Sequence, residues 1–128
     1  MTQRSSGVIV AVVDDDQSIL QSLGYLLESA DYVVRLFTSG ASLLRSGCLP
    51  EIACLISDID MPGLDGFELL RLLHSKRPGL PTILITGYPD TLKRPRPLGP
   101  GNPRVFTKPF RGEDLLSAVS DARRSSLG

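Results

Sequence analysis

Short apolar runs alternate along this chain with longer stretches in which apolar residues recur at helical spacing. The apolar runs cover residues 8–13, 32–37, 52–57, 82–86 and 105–107. Short runs that are rich in β-branched side chains and lack polar alternation are typical of strands buried on both faces of a sheet. The pattern therefore predicts five short strands.

Amphipathic stretches follow the first, second, third and fifth of these strands. The first has its apolar positions at Ile19, Leu23, Leu26, Leu27 and Ala30. Steps of three and four residues place such side chains on one face of a helix. We expect Asp15 or Asp16 to cap this helix, because a carboxylate accepts hydrogen bonds from the first free backbone N–H groups. The other stretches predict helices over residues 39–46, 67–74 and 115–122.

Strand–helix alternation with short connections implies a doubly wound α/β fold, in which helices cover both faces of a parallel sheet. Ligands of such sheets bind at the carboxyl ends of the strands. Reactive side chains stand at four of these ends, namely Asp14, Asp15 and Asp16 after the first strand, Asp58 after the third, Thr86 on the fourth and Lys108 after the fifth. The sequence therefore predicts one site assembled from four distant segments.

Composition excludes several classes of protein. The 128 residues suggest one domain, and 14 basic residues balance 14 acidic ones, so net charge does not indicate a nucleic-acid or membrane surface. No apolar run approaches the ~20 residues of a membrane span, and the N-terminus lacks the apolar core of a signal peptide. We expect a cytoplasmic protein in which Cys48 and Cys54 are reduced thiols.

The strand-end residues have a chemistry in common. The carboxylates of Asp14, Asp15 and Asp58 would crowd one another, and like charges raise each other's pKa unless a cation intervenes. Mg²⁺ (or Mn²⁺) satisfies this arrangement, since it binds carboxylates, waters and phosphate oxygens. With the ammonium of Lys108 and the hydroxyl of Thr86, these are the parts of a phosphoryl-transfer site. The predicted reaction is attack of an Asp58 oxygen on phosphorus, which gives an acyl phosphate.

The chain also resembles the receiver domains of two-component response regulators. The resemblance is carried by Val13-Asp14-Asp15-Asp16, by Asp58 with Met61-Pro62-Gly63 and Asp65-Gly66, by Thr86-Gly87 and by Lys108-Pro109-Phe110. It implies a flavodoxin-like, five-stranded parallel sheet in the order 2-1-3-4-5. The receiver domain would span residues 7–124, between a flexible N-terminus at 1–6 and a tail at 125–128. A cis peptide bond between Lys108 and Pro109 is implied as well.

The resemblance gives each motif residue a role. Asp58 would accept a phosphoryl group from a sensor histidine kinase or a phosphotransfer protein. Lys108 would pair with Asp58 and then with the phosphoryl group, towards which Thr86 would move. The implied metal ligands are Asp14, Asp15, Asp58 and the backbone carbonyl of Asp60. Such a protein is no enzyme beyond its own phosphorylation and dephosphorylation, and it switches an unknown downstream effector without itself contacting nucleic acid or a membrane.

Two positions depart from the family pattern. Val105 stands three residues before Lys108, where receivers usually have an aromatic residue coupled to the threonine. The adjacent Phe106 should point to the other face of its strand, because side chains alternate along a strand. Asp60 adds a further carboxylate beside the site, which should favour metal binding.

The segment between the fourth and fifth strands contains many prolines, among them Pro95, Pro97, Pro100 and Pro103. Each interior proline costs a helix ~3 kcal/mol or more, because it deletes a hydrogen bond and clashes with the preceding turn. Receivers normally have their fourth helix here, so we expect this helix to be missing or reduced to one turn near residues 90–93. The segment is also basic, and either a docking patch or solvated loop charge would account for that.

Two other classes of protein remain open. A receiver-like docking module that is never phosphorylated would have the same fold. Asp58-Ile59-Asp60 also resembles the Asp-x-Asp motif of haloacid-dehalogenase-type phosphatases, although that motif belongs on the first strand and here follows the acid pair. The sequence leaves open whether the chain is a stand-alone regulator or the receiver portion of a longer protein.

Overall fold

Five parallel strands form one sheet in this protein. The computed structural model describes residues 7–88 and 103–127. The strands are β1 Ile9–Val13, β2 Val33–Phe37, β3 Ile52–Asp58, β4 Thr82–Thr86 and β5 Arg104–Thr107. The helices are α1 Gln17–Ser29, α2 Gly40–Ser46, α3 Gly66–Lys76 and α4 Gly112–Leu127, with a 3₁₀ turn at Leu49–Glu51. The strand order β2-β1-β3-β4-β5 confirms the expected sheet.

The expectation that the fourth helix is missing or reduced to one turn is wrong as a description of this fold. The described residues contain four α-helices, and the fourth, α4, spans Gly112–Leu127. Prolines disrupt only the helix that contains them, and α4 contains none. Its residues Leu115, Ala118 and Val119 are buried in the core, which stabilises the helix. Residues 89–102, where the loss was placed, lie outside the described residues.

Helices cover the sheet on both faces, because successive strand side chains point to opposite sides. Val10 and Val12 of β1 pack with α1 and α4 in one core cluster. Ala11 and Val13 of the same strand pack with α2 and α3 in another. Full burial of one such aliphatic side chain contributes about 1.5–3 kcal/mol. This two-sided burial explains the uninterrupted apolar runs of the central strands.

The helix beginnings are fixed by local side chains. Asp16 accepts hydrogen bonds from the N–H groups of Ser18 at 2.9 Å and Ile19 at 3.2 Å, so it is Asp16 that caps α1. A reciprocal pair of hydrogen bonds between Asp65 and Glu68 begins α3 directly after the loop that follows β3.

Within the described ranges, no helix is both long and apolar enough to cross a membrane.

Glycine is required where α3 meets the end of β3. A Cβ atom on Gly66 would lie 2.7 Å from the carbonyl oxygen of Asp58 and 2.7 Å from the Cα of Ile59. Both are backbone atoms, which cannot rotate away as the end of a side chain can. The Asp65-Gly66 pair therefore lets α3 begin in contact with the backbone of Asp58.

Candidate functional site

The carboxyl ends of β1, β3, β4 and β5 meet at one edge of the sheet. In the strand register, Val13 is opposite Ser57, Asp58 is opposite Ile85, and Thr86 is opposite Thr107. The side chains of the predicted strand-end residues therefore come from neighbouring strands. The structure brings together the four segments that the sequence pattern singled out.

Three carboxylates form the acidic part of this edge. Asp14 and Asp58 are only 2% and 5% exposed, whereas Asp15 is exposed. One carboxylate oxygen from each of the three lies within 4.8 Å of those of the other two. Asp14 also accepts a hydrogen bond from the N–H of Asp16 at 2.9 Å. Asp16 itself is turned to the helix cap, so the acid run divides between the site and α1.

Lys108 provides positive charge beside the two buried acids. Its Nζ lies 3.6 Å from Oδ2 of Asp14 and 3.8 Å from Oδ1 of Asp58. The peptide bond that follows, to Pro109, is cis, which confirms the expectation from the resemblance. One ammonium supplies one positive charge for three carboxylates, so the cluster retains excess negative charge.

The buried acids hold their protons more strongly than ordinary carboxyl groups do. Burial raises the pKa of Asp14, although the hydrogen bond from Asp16 and the charge of Lys108 oppose that change. Burial, and secondly the neighbouring charge of Asp14, raise the pKa of Asp58 to about 6, again against Lys108. Desolvation and like charge both disfavour the ionised form. A second cation at this edge would relieve both effects.

The donor set fits a hard divalent cation. Asp14, Asp15 and Asp58 offer only carboxylate oxygens, and these are close enough to bind one ion together. Magnesium prefers oxygen ligands of this kind and commonly completes its shell with water. These three residues were expected to bind metal from the sequence.

The hydroxyl of Thr86 is held on the side of the site formed by β4. Thr86 is fully buried, and its Oγ1 donates a hydrogen bond to Oδ2 of Asp60 at 2.5 Å. The N–H of Tyr88 donates to the same hydroxyl at 3.0 Å. The resemblance implied that the backbone carbonyl of Asp60 binds metal, and this side-chain contact was not predicted from the sequence. The one sequence feature that could have indicated this contact is the position of Asp60, two residues after the end of β3.

The two residues of β5 that precede the lysine face opposite sides of the sheet. Val105 packs against a cluster that contains Ile59, Phe67, Leu70 and Leu84. Phe106 is buried on the other side, where its ring meets that of Phe110 edge-to-face at 5.5 Å between centroids. The expectation that Phe106 does not take the place of an aromatic residue at position 105 is confirmed.

Comparison with known proteins gives one consistent family. Residues 10–120 match the family described as "Response regulator receiver domain". The chain is 34% identical to "Transcriptional regulatory protein FixJ" of Azorhizobium caulinodans over 93% of this chain and 54% of that protein. It is also 34% identical to "Response regulator protein TmoT" of Ectopseudomonas mendocina, over 89% of this chain and 52% of the relative. The chain thus spans about half the length of these curated relatives.

A solved structure extends the likeness to the fold. The signal receiver domain of an HD domain-containing protein from Pseudomonas fluorescens Pf-5 superimposes with a TM-score of 0.83 at 28% identity. The match covers 97% of this chain and 98% of that one. The fold, the strand-end residues and the family match agree, and this chain belongs to the response regulator receiver domain family.

Proposed function

We propose that this receiver accepts a phosphoryl group on Asp58 from a sensor histidine kinase or a phosphotransfer protein, with Mg²⁺ bound, and thereby switches its interaction with a downstream effector. One observation carries this proposal. The buried carboxylate of Asp58 lies within 4.8 Å of ligand oxygens of Asp14 and Asp15, and 3.8 Å from the ammonium of Lys108. A nucleophile, a place for a cation and a fixed positive charge therefore meet at one strand end.

The reaction follows from this arrangement. A carboxylate oxygen of Asp58 attacks the phosphorus of a phosphohistidine, and a P–O bond forms as the P–N bond breaks. The electron pair of the broken bond returns to the imidazole nitrogen. A bound divalent cation would neutralise charge on the carboxylates and on the phosphoryl oxygens. Lys108 is placed to pair with a phosphoryl oxygen, because its Nζ already lies near Asp58.

The same geometry disfavours the phosphatase alternative. In an Asp-x-Asp phosphatase the second aspartate acts as the general acid and base, a role that Asp60 would have to fill. Its carboxylate instead accepts the hydroxyl hydrogen bond of Thr86. The name of the FixJ relative supports an effector that acts in transcription.

Intact-mass measurement tests the proposal directly. Incubation with acetyl phosphate and Mg²⁺ should add one phosphoryl unit, and Asp58→Asn should abolish the gain. Asp16→Asn is a matched control, because it neutralises a neighbouring acid of the same motif while asparagine still caps α1. The control should retain the label, and chelation of Mg²⁺ should prevent it. Label that persists in Asp58→Asn would refute the assignment of the phosphoacceptor. A wild-type chain that gains no label from either a kinase or acetyl phosphate would favour the docking module.

A further inference from the structure

The hydroxyl of Thr86 has more acceptors within reach than it has protons. It donates to Oδ2 of Asp60 at 2.5 Å, while the carbonyl oxygen of Tyr88 lies 3.2 Å away. A hydroxyl has one proton to donate and two lone pairs that accept. Hydrogen bonds to a carboxylate are shorter and stronger than those to a neutral oxygen. The proton is therefore directed to Asp60, and the N–H of Tyr88 occupies a lone pair at 3.0 Å.

The backbone on either side of this contact is fixed by the sheet. The N–H of Ile59 donates to the carbonyl of Ile85 at 2.8 Å, which holds the chain to β4 one residue beyond the end of β3. The carbonyl of Thr86 accepts the N–H of Lys108 at 2.8 Å, which ties β4 to β5. Since the backbone of Thr86 is held in β4, the hydroxyl moves by rotation of the Thr86 side chain.

A phosphoryl group on Asp58 would offer this hydroxyl a second charged acceptor. Asp60 lies two residues after Asp58, and its N–H donates to Oδ1 of Asp58 at 3.4 Å, so the two acceptors are neighbours. The single proton of Thr86 cannot serve both at once. A hydrogen bond from Thr86 to Asp60 therefore disfavours the state in which Thr86 binds the phosphoryl group, and a hydrogen bond to the phosphoryl group disfavours the state in which Thr86 binds Asp60.

We infer that Asp60 is a positioning residue that holds the Thr86 hydroxyl in the unphosphorylated receiver, so that a phosphoryl group on Asp58 must displace the Asp60 carboxylate. The inference rests on the proposed phosphorylation of Asp58. Asp60 then sets the balance between the two states of the receiver through Thr86, without itself contacting the transferred group.

The contact also gives the signal a way out of the site. When the hydroxyl leaves Asp60, its position relative to the N–H and carbonyl of Tyr88 changes. The side chain of Tyr88 is 66% exposed, so this change reaches a surface residue within two positions of the threonine. Val105 packs in the apolar cluster and has no ring to transmit the movement. The route through Tyr88 therefore needs no aromatic residue at position 105.

A double-mutant cycle tests the competition. The probe is beryllium trifluoride with Mg²⁺, a non-covalent mimic of the phosphoryl group, measured by calorimetry on four chains: wild type, Asp60→Ala, Thr86→Ala and the double variant. Loss of the Asp60 charge reduces repulsion of the anionic probe equally with or without the threonine. The competition is the excess, and we expect Asp60→Ala to tighten binding about tenfold more with Thr86 present than in the Thr86→Ala background.

A near-isosteric variant guards against misfolding. Asp60→Asn retains an acceptor oxygen without the charge, and its effect should lie between wild type and Asp60→Ala. In NMR spectra of the chain without probe, both variants should alter the χ1 couplings of Thr86 and the amide resonance of Tyr88. The change should be larger in Asp60→Ala than in Asp60→Asn. If Asp60 had only a structural role, the changes in these signals would not follow the strength of the acceptor at position 60.

The outcomes separate this inference from the proposed function. Wild type that neither binds the probe nor accepts phosphoryl from acetyl phosphate would overturn both. Probe binding with equal effects of Asp60→Ala in the two backgrounds would overturn the positioning role alone. Unchanged Thr86 couplings in Asp60→Ala would overturn it as well, because the hydroxyl would then be held without Asp60.

Discussion

Neutralising Asp58, the proposed phosphoacceptor, should stabilise the metal-free protein. Asp58 is 5% exposed and its pKa is raised to about 6 from the ordinary 3.8, by burial and then by Asp14. Ionising it in the folded state therefore costs about 3 kcal/mol above pH 7, from a difference of about two pKa units at 1.36 kcal/mol each. Asp58→Asn lacks this ionisation, so its free energy of unfolding should exceed that of wild type by about 3 kcal/mol at pH 7.5.

The sign of the pH dependence follows from the raised pKa. Between pH 4 and 6 the folded chain keeps a proton on Asp58 that the unfolded chain has lost. Wild-type stability therefore falls as pH rises through this window, and the penalty is fully present above the folded pKa. At pH 4.5 the advantage of Asp58→Asn should shrink to about 1 kcal/mol.

Urea unfolding in EDTA at the two pH values, followed by circular dichroism, measures this difference. An unchanged m-value would show that the variant changes stability and not the unfolded ensemble. Glu28→Gln is the control, because it neutralises an exposed carboxylate in the last turn of α1 and should change stability by less than about 0.5 kcal/mol. Magnesium at about 100 times its Kd should stabilise wild type by about 2.7 kcal/mol and the variant less. Equal stability of wild type and Asp58→Asn at pH 7.5 would refute the charge-crowding account, as would a gap that does not depend on pH.

Three further predictions concern the acid run, the beginning of α3 and the two cysteines. Asp15→Ala should weaken Mg²⁺ binding in calorimetry far more than Asp16→Ala, which should instead cost about 0.5–2 kcal/mol of stability through the lost helix cap; equal losses of Mg²⁺ affinity would contradict the assigned ligands. Gly66→Ala should destabilise the fold by about 1–3 kcal/mol in the same urea assay and lower phosphoryl uptake, because its Cβ would overlap the backbone at the end of β3; wild-type values for both would show that the backbone yields there. Burial raises the pKa of Cys54 to about 12, so a disulfide reagent at pH 8 should modify half-buried Cys48 first and Cys54 only on unfolding; a fast phase that survives Cys48→Ser would disprove this order.

The sequence determined the elements and the chemistry available at their ends. Apolar runs without alternation predicted the central strands, because strands that are buried on both faces need apolar side chains at successive positions. Asp14, Asp58, Thr86 and Lys108 were found because each directly ends or follows such a run. The cap of α1 was narrowed to two residues, since both have the side chain that a cap needs.

Only the tertiary structure decided which of these residues face the site and which side chains contact one another. Strand register and the packing of the helices turn Asp14 into the site and Asp16 to the cap, although the two have the same chemistry. The hydrogen bond between Thr86 and Asp60 joins residues 26 positions apart, one on β4 and one in the loop after β3, which a sequence pattern cannot bring together. The expectation of a missing fourth helix was wrong, because prolines disrupt only the segment that contains them and α4 contains none. Local pattern fixes what each segment can form, but long-range pairing fixes which side chains meet, because that depends on the register of strands distant in sequence.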